Sequence, residues 1–158
     1  MKQKLKDLTT FIIESNAIEM EYSQQAFEDS LKGWDFIVQQ KYGSLNAVMI
    51  ETLHMLMMQN LNPGIAGRIR DGEVSIGGYR ALPSYLVREK LLELLQFVPT
   101  TEEGIKEWHI RYEAVHPFFD GNGRSGRHIM NWQRISCDLP LLVIHEGEEQ
   151  FAYYKWFK

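Results

Sequence analysis

Apolar residues recur every three or four positions along most of this 158-residue chain, which is the spacing that places them on one face of an α-helix. The pattern predicts two early helices around residues 5–12 and 31–38, and later helices over 45–60, 84–97, 101–115, 124–136 and 148–156. Residues 67–79 differ, because Val74 and Ile76 alternate with polar residues after the turn signal Asp71-Gly72. We therefore predict an all-α, mainly helical fold with one small β-hairpin.

The composition is that of an ordinary globular domain, with 44% hydrophobic and 24% charged residues. No repeat or low-complexity tract marks a boundary, so we expect one domain over residues 1–158. The net charge of −4 gives no sign of a nucleic-acid or membrane partner. Since Cys137 is the single cysteine and no leader-like apolar run follows Met1, we expect a cytoplasmic protein.

Residues 116–127 interrupt the helical pattern with a glycine-rich loop, His-Pro-Phe-Phe-Asp-Gly-Asn-Gly-Arg-Ser-Gly-Arg. Pro117 disfavours helix at the residue before it, so the preceding helix is predicted to end at His116. Gly121 and Gly123 allow a tight turn and a close approach of the backbone to a ligand. The helix that follows would present free amides and its positive dipole end to an anion.

The charged side chains of this loop suit a phosphorylated ligand. Arg124 and Arg127 are three residues apart, hence on one helix face, and both can fork onto phosphate oxygens. Asp120 offers a hard oxygen ligand for a Mg²⁺ ion that rides on phosphates. His116 titrates near neutral pH and is a candidate general base. We predict that the segment binds a metal-bound nucleotide and transfers part of it to a hydroxyl group.

Three other loop types fit the segment less well. A P-loop needs Lys and then Ser or Thr where this chain has Arg127 and His128, and it follows a buried strand instead of a helix. A calcium-binding EF-hand loop needs a glycine at Ser125 and a glutamate at Asn131. A plain connection between two helices would not explain why His, Asp and two Arg side chains are grouped there.

The segment matches, at every defined position, the motif His-Pro-Phe-x-Asp/Glu-Gly-Asn-Gly-Arg-x-x-Arg of the Fic (filamentation induced by cAMP) family. The chain therefore resembles a Fic/Fido-type helical bundle, with a catalytic core from about residue 45 to 140. The predicted hairpin resembles the family's flap through Gly67, Arg70, Val74 and Ile76-Gly77, with Pro83 following. The resemblance implies a protein adenylyltransferase that moves AMP from ATP onto a Ser, Thr or Tyr hydroxyl of a target protein, with Mg²⁺ or Mn²⁺ as the cofactor.

The resemblance also implies a role for each matching residue. His116 would deprotonate the target hydroxyl, and Asp120 would hold the metal ion at the α- and β-phosphates. Arg124 would contact the β-phosphate side and Arg127 the γ-phosphate. The loop would form the anion hole with Gly121, Asn122 and Gly123.

The flap would clamp an extended target segment by strand addition. A hairpin that is simply packed on the body is the alternative. The residues expected to dock the target are Val74, Ser75, Ile76 and Gly77.

A shorter resemblance lies in residues 1–22. Many Fic proteins carry an inhibitory helix, Ser/Thr-x-x-x-Glu-Gly/Asn, whose glutamate pairs with the second arginine of the main motif and blocks the γ-phosphate position. Ser15 and Glu19 match, whereas Met20 replaces the Gly or Asn that would end the helix through a left-handed residue. The resemblance implies autoinhibition by a Glu19–Arg127 ion pair, with Glu21 as a competing carboxylate.

Other functions remain open at this point. The site could remove AMP from a modified target, with Glu19 orienting water, or it could transfer another nucleotide or phosphodiester group. A non-catalytic nucleotide-binding interaction module is a further alternative, although the presence of His116 argues against it. The target and any homo-oligomer are not specified. The remaining histidines lack the spacing of a zinc site, so core or surface roles are expected for His54, His109, His128 and His145.

Overall fold

In the computed structural model, residues 1–158 form seven α-helices and one two-stranded antiparallel hairpin, which confirms the predicted fold class. A one-turn 3₁₀ helix, Lys155–Phe157, follows the last α-helix. None of the helices has both the length and the apolar character that crossing a bilayer requires. The elements are α1 (Lys2–Ile18), α2 (Gln24–Val38), α3 (Ala47–Met58), β1 (Ser75–Ile76), β2 (Tyr79–Arg80), α4 (Ser84–Leu95), α5 (Glu102–Val115), α6 (Asn122–Ser136) and α7 (Glu148–Tyr154).

Helix α6 is the central element of the bundle. Helices α1, α2, α3 and α5 all pack against it, and twelve of its fifteen residues are buried. Its apolar side chains Ile129 and Trp132 belong to the main core, together with Phe11 of α1, Leu53 of α3 and Trp108 of α5. Because most of α6 is buried, most of its polar and charged side chains must find their partners within the protein.

The apolar periodicity identified most of the core but not all of it. Phe11 and Ile12 of α1 are fully buried as expected, whereas Leu5 is 65% exposed. Val48 of α3 is likewise 68% exposed. The first six residues of the chain all lie in solvent, so the first turns of α1 extend past the helices that cover the rest of it.

The hairpin turns at a different place from the turn signal in the sequence. Ser75 pairs with Arg80 and Ile76 with Tyr79, so Gly77 and Gly78 form the two-residue turn. Their φ angles of 54° and 85° are those that such a tight hairpin turn requires and that glycine adopts without strain. Asp71-Gly72 lies before the hairpin, where it does not connect the strands.

Helix α1 ends through a left-handed residue although that residue is methionine. Met20 has a φ of 57°, and its amide donates to the carbonyl of Ala17 at 2.9 Å. The amide of Glu21 then donates to the carbonyl of Asn16 at 3.0 Å. These two bonds define a Schellman ending, for which glycine is the preferred residue because it has no Cβ. The chain thus adopts the termination that Gly or Asn would favour, at the cost of backbone strain.

We therefore expect Met20→Gly to stabilise the protein by about 1 kcal/mol, since a left-handed non-glycine residue costs about 1–2 kcal/mol and added flexibility of the unfolded chain offsets part of the gain. The Met20 side chain is 80% exposed, so its removal sacrifices little packing. Urea denaturation monitored by circular dichroism measures the change. As a control, Lys6→Gly in the exposed part of α1 should lose up to about 1 kcal/mol. A loss of stability in Met20→Gly would contradict the assigned strain.

Candidate active site

His116 stands at the junction between α5 and the loop in a strained conformation. Its amide donates to the carbonyl of Tyr112 at 3.0 Å, and its φ of 50° and ψ of 65° are left-handed. A non-glycine residue adopts this conformation at a cost, and such residues are enriched at functional sites. Pro117 explains why α5 ends there, since it disfavours helical geometry at the preceding residue.

Arg70 holds this strained junction in place. Its side chain is 2% exposed, and its guanidinium donates to the carbonyls of His116 at 2.6 Å and Val115 at 3.4 Å. The same group donates to the carbonyls of Gly72 at 3.0 Å and Leu82 at 2.5 Å, which lie on either side of the hairpin. A cation at the C-terminal end of α5 is also favoured by the helix dipole. Arg70 therefore fixes His116 and the base of the hairpin to each other.

In the sequence, Arg70 stands out only as part of the hairpin resemblance, and its contact with the end of α5 is not predicted. No local signal separates Arg70 from Arg68, which lies two residues earlier and is exposed. Only the tertiary contact with the end of α5 distinguishes the two arginines.

His54 of α3 supports the loop by contacts with Asp120 and Phe118. Its Nδ1 accepts from the amide of Gly67 at 2.9 Å, so Nε2 carries the hydrogen and donates to the carbonyl of Asp120 at 2.7 Å. The imidazole stacks on the ring of Phe118 with centroids 3.6 Å apart. Burial lowers the pKa of His54 to about 4, which keeps the ring in the neutral form that this bonding requires. His54 is thus a core residue, as expected, and it also shapes the loop.

Gly121 and Asn122 close the loop at the start of α6. Gly121 has a φ of 82°, and a Cβ there would lie 2.8 Å from the Met58 sulfur and 3.0 Å from His54 Nε2, so only glycine fits. The Asn122 side chain accepts from the amide of Phe118 and donates to its carbonyl, each at 2.8 Å. The Asn122 side chain therefore fixes the loop, while its backbone amide belongs to the uncapped first turn of α6.

The first turn of α6 has the features of an anion site. No side chain caps it, so the amides of residues 122–124 face the mouth of the loop. Arg124 is 5% exposed, its Nε has no hydrogen-bond partner, and its Nη2 lies 3.5 Å from Asp120 Oδ1. A buried guanidinium N–H without a partner is rare in native proteins. A bound phosphate would satisfy both this group and the amides.

Asp120 is the residue of this site that suits a divalent cation. Its side chain is 58% exposed, and nowhere in the chain do three or more His, Cys, Asp or Glu side chains gather closely enough to hold a metal by themselves. A single carboxylate beside an anion cradle fits Mg²⁺ or Mn²⁺, which bind through one or two carboxylates together with phosphates and water.

Ser15 and Glu19 from the end of α1 meet Arg127 beside this cradle. Arg127 Nε donates to Ser15 Oγ at 2.8 Å, and Nη2 donates to Glu19 Oε1 at 2.8 Å and to the Ser15 carbonyl at 2.9 Å. A methyl group on Gly123 would collide with Glu19 Oε1, so the carboxylate lies against the first turn of α6. The competing carboxylate, Glu21, instead accepts from Ser23 at 2.7 Å.

The hairpin residues expected to dock a target lie beside the loop. Ser75, Ile76 and Gly77 are exposed and Val74 is half-buried. The ring of Phe119, 39% exposed, lies under the base of the hairpin, where a Cβ on Gly72 would meet it at 3.2 Å. The hairpin and the loop therefore form one continuous surface.

A layer of buried polar side chains lies between α5 and α6. Glu113 Oε1 has no hydrogen-bond partner and is 4.0 Å from His109 Nε2. Glu113 is not predictable as a special residue from the sequence, because its position in α5 looks like that of an ordinary surface glutamate. Burial raises the pKa of Glu113 to about 7, although the charge of Arg127 opposes the rise.

We expect the stability of the protein to fall between about pH 5 and pH 7 relative to a Glu113→Gln variant. A carboxyl group whose pKa is raised by folding binds more protons in the folded state than in the unfolded state, so stability is lost as the pH rises through that window. The variant should match the wild type near pH 5 and be more stable by about 2 kcal/mol at pH 8. Urea denaturation across this range measures it. The exposed Glu107→Gln serves as the control and should show no such crossover; a constant difference at all pH values would contradict the assignment.

Comparison with known proteins identifies the family of the chain. Residues 44–133 match the Fic/DOC family, and because the match covers more than half of the chain, the chain belongs to that family. It is 28% identical over 111 residues to the protein adenylyltransferase fic-1 of Caenorhabditis elegans, which covers 65% of this chain and 21% of that protein. The chain thus spans about a fifth of that relative's length.

Solved structures share the fold. A Fic-domain-containing signalling protein from Bacteroides thetaiotaomicron superposes with a TM-score of 0.81 at 20% identity, covering 98% of this chain and 72% of that one. A Fic family protein from Desulfovibrio desulfuricans superposes with a TM-score of 0.78 at 21% identity, covering 99% of this chain and 55% of that one. The superpositions include α1 and α7, which lie outside the residues matched by the family comparison.

Proposed function

We propose that this protein is an adenylyltransferase that transfers AMP from metal-bound ATP to a hydroxyl group of a target protein, and that Glu19 restrains it. The observation that carries the proposal is the uncapped first turn of α6 with the unpartnered Nε of buried Arg124, next to a histidine at the end of α5. An anion cradle beside a general base is what nucleotidyl transfer requires. The adenylyltransferase name of the C. elegans relative supports the same chemistry.

His116 is the proposed general base. Burial lowers the pKa of His116, and the positive charge of Arg70 lowers it further, so the imidazole is neutral and able to accept a proton at physiological pH. As the target oxygen bonds to the α-phosphorus and the bond to pyrophosphate breaks, the hydroxyl proton passes to His116. The junction held by Arg70 keeps the ring at the mouth of the loop during this transfer.

The phosphate groups are held by the amides of α6, by Arg124 and by Arg127. Asp120 would hold the Mg²⁺ ion, which supplies charge neutralisation on the phosphate oxygens when it is bound. The guanidinium groups add a fixed positive charge that requires no reorganisation during the reaction. Pyrophosphate, the leaving group, therefore departs from a site that stabilises its growing negative charge.

Glu19 is the proposed restraint, as in Fic proteins whose inhibitory helix precedes the core. Its carboxylate binds Arg127 and lies against the first turn of α6. A carboxylate at a helix N-terminus and on an arginine satisfies the same groups that a terminal phosphate would use. ATP must therefore displace Glu19 to bind in full, which raises the free-energy cost of productive binding.

The target is proposed to be an extended protein segment carrying a Ser, Thr or Tyr hydroxyl. The hairpin offers the exposed backbone of Ser75 and Ile76, and an exposed strand edge can accept an added strand through main-chain hydrogen bonds. Because Arg70 ties the base of the hairpin to His116, a segment docked there would lie beside the proposed base.

Incubation with ATP labelled in the α-phosphate, Mg²⁺ and the protein itself as acceptor tests this function. We expect Glu19→Gly to raise incorporated label by about tenfold, because a hydrogen bond from an arginine to a carboxylate is worth about 1.5 kcal/mol or more to the closed state. Adding His116→Ala to Glu19→Gly should abolish the label. The matched control Glu21→Gly should leave it unchanged, since Glu21 faces Ser23.

The other outcomes separate the alternatives. Nucleotide binding without label in any variant would indicate a binding module, and label that survives loss of His116 would remove the assigned base. If wild type releases AMP from pre-labelled Glu19→Gly protein and the Glu19→Gly variant does not, Glu19 would serve AMP removal. Label from another nucleoside triphosphate in preference to ATP would reassign the nucleotide.

The pH dependence of the Glu19→Gly variant tests the state of His116. A base with a lowered pKa stays unprotonated to lower pH, so we expect kcat/KM to hold through about pH 6.5, the ordinary histidine value, and to fall only at lower pH. The exposed His145→Gln provides the control and should leave the profile unchanged. An acidic limb centred above pH 6.5 would show that His116 is not the desolvated base described here.

A further inference from the structure

Arg127 contacts two different parts of the chain. Three of its four hydrogen-bond acceptors belong to the end of α1: Ser15 Oγ, the Ser15 carbonyl and Glu19 Oε1. The fourth is the hydroxyl of Tyr153 on α7, 3.4 Å from Arg127 Nη1. The carbon of the guanidinium lies 5.8 Å from the centre of the Tyr153 ring. Tyr153 is therefore the one partner of Arg127 that lies outside the inhibitory helix. It can keep its contact with Arg127 when Glu19 is displaced.

Tyr153 is itself firmly held. It is 3% exposed, and its hydroxyl lies 2.7 Å from Nε2 of buried His109. Its ring packs edge-on against the rings of Trp156 and Phe157, with distances between ring centroids of 5.2 Å and 5.1 Å. The same ring belongs to a small apolar cluster with Ile18, Ile105, Met130 and Ile144. Because these contacts hold Tyr153 in one orientation, its hydroxyl can in turn fix the orientation of the Arg127 guanidinium.

The chemistry of the phenol differs from that of Glu19 in a way that matters for a bound anion. Burial raises the pKa of the Tyr153 hydroxyl, so the group is neutral at physiological pH. A neutral oxygen can accept one N–H of Arg127 without cancelling its charge, whereas the carboxylate of Glu19 cancels it. The Oε1 atom of the nearby Glu113 carboxyl group has no hydrogen-bond partner.

We propose that Tyr153 is a positioning residue for Arg127, which keeps the guanidinium aligned for the terminal phosphate of ATP once Glu19 has moved away. The proposal rests on the proposed function, because it requires that Arg127 binds that phosphate. It gives α7, which lies outside the residues matched by the family comparison, a part in nucleotide recognition. Tyr153 acts through Arg127 and need not touch the nucleotide.

The test compares ATP and ADP affinities by titration calorimetry in the Glu19→Gly background. Since ADP lacks the terminal phosphate, loss of the Tyr153 hydroxyl should weaken the binding of ATP and leave the binding of ADP unchanged. We expect Tyr153→Phe to reduce the preference for ATP over ADP by about threefold to tenfold, the range for one ordinary hydrogen bond, because the contact to Arg127 is long at 3.4 Å; the affinity for ADP should be unchanged. The neighbouring Tyr154→Phe is the matched control. Its hydroxyl accepts from Gln150 at the surface, and the preference should not change.

The ratio of the two affinities also removes the effect of partial unfolding, since a smaller folded fraction weakens both nucleotides by the same factor. An unchanged ratio in Tyr153→Phe, or an equal loss for both nucleotides, would overturn the role of Tyr153 alone. If the Glu19→Gly parent shows no preference for ATP over ADP, the assignment of Arg127 to the terminal phosphate fails, and the proposal fails with it.

Discussion

A buried guanidinium on the central helix governs the arrangement of this protein. Arg127 is 2% exposed, and a buried arginine without partners would destabilise the fold by several kcal/mol. The partners come from both ends of the sequence, Ser15 and Glu19 from α1 and Tyr153 from α7. Helices α1 and α7, which lie at opposite ends of the chain, thus both pack where they can supply hydrogen-bond acceptors to the buried charge on α6.

Two residues with strained backbone conformations lie at or next to the proposed functional side chains. His116 and Met20 both adopt left-handed backbone conformations that favour glycine. Hydrogen bonds hold each in place: Arg70 donates to the carbonyl of His116, and a Schellman ending fixes Met20. Strain is tolerated where the surroundings over-determine the conformation. The strained residue at the first position carries the proposed base itself, and the strained residue at the second position directly follows Glu19.

The sequence predicted the parts of the site that are local. Residues 116–127 are contiguous, so their order and spacing were enough to predict a loop followed by a helix start with charged side chains around it. The helices were predictable because periodicity is a local property, and the end of α5 followed from Pro117. Ser15, Glu19 and Arg127 were linked in advance only through a family pattern, since nothing in their spacing of more than a hundred residues indicates contact.

The rest depends on packing that no local pattern encodes. Arg70, His54 and Tyr153 each support the loop or Arg127 through a partner distant in sequence. His54 looked like an ordinary core histidine, and Tyr153 looked like one of several aromatics near the end of the chain. The hairpin turn was misplaced for a related reason: Asp71-Gly72 and Gly77-Gly78 are both turn sequences, and strand pairing decided between them.

Helix α1 contributes both to the main core and to the proposed site. Its middle residues, Phe11 and Ile12, are at most 1% exposed and belong to the main core, while its last turn supplies Ser15 and Glu19. The helix cannot swing away as a detachable arm without opening the interior to water. Access to the cradle must therefore come from a movement confined to the last turn of α1 or to the Glu19 side chain. A shortened chain that lacks α1 would report on folding, and it could not isolate the contribution of a single carboxylate.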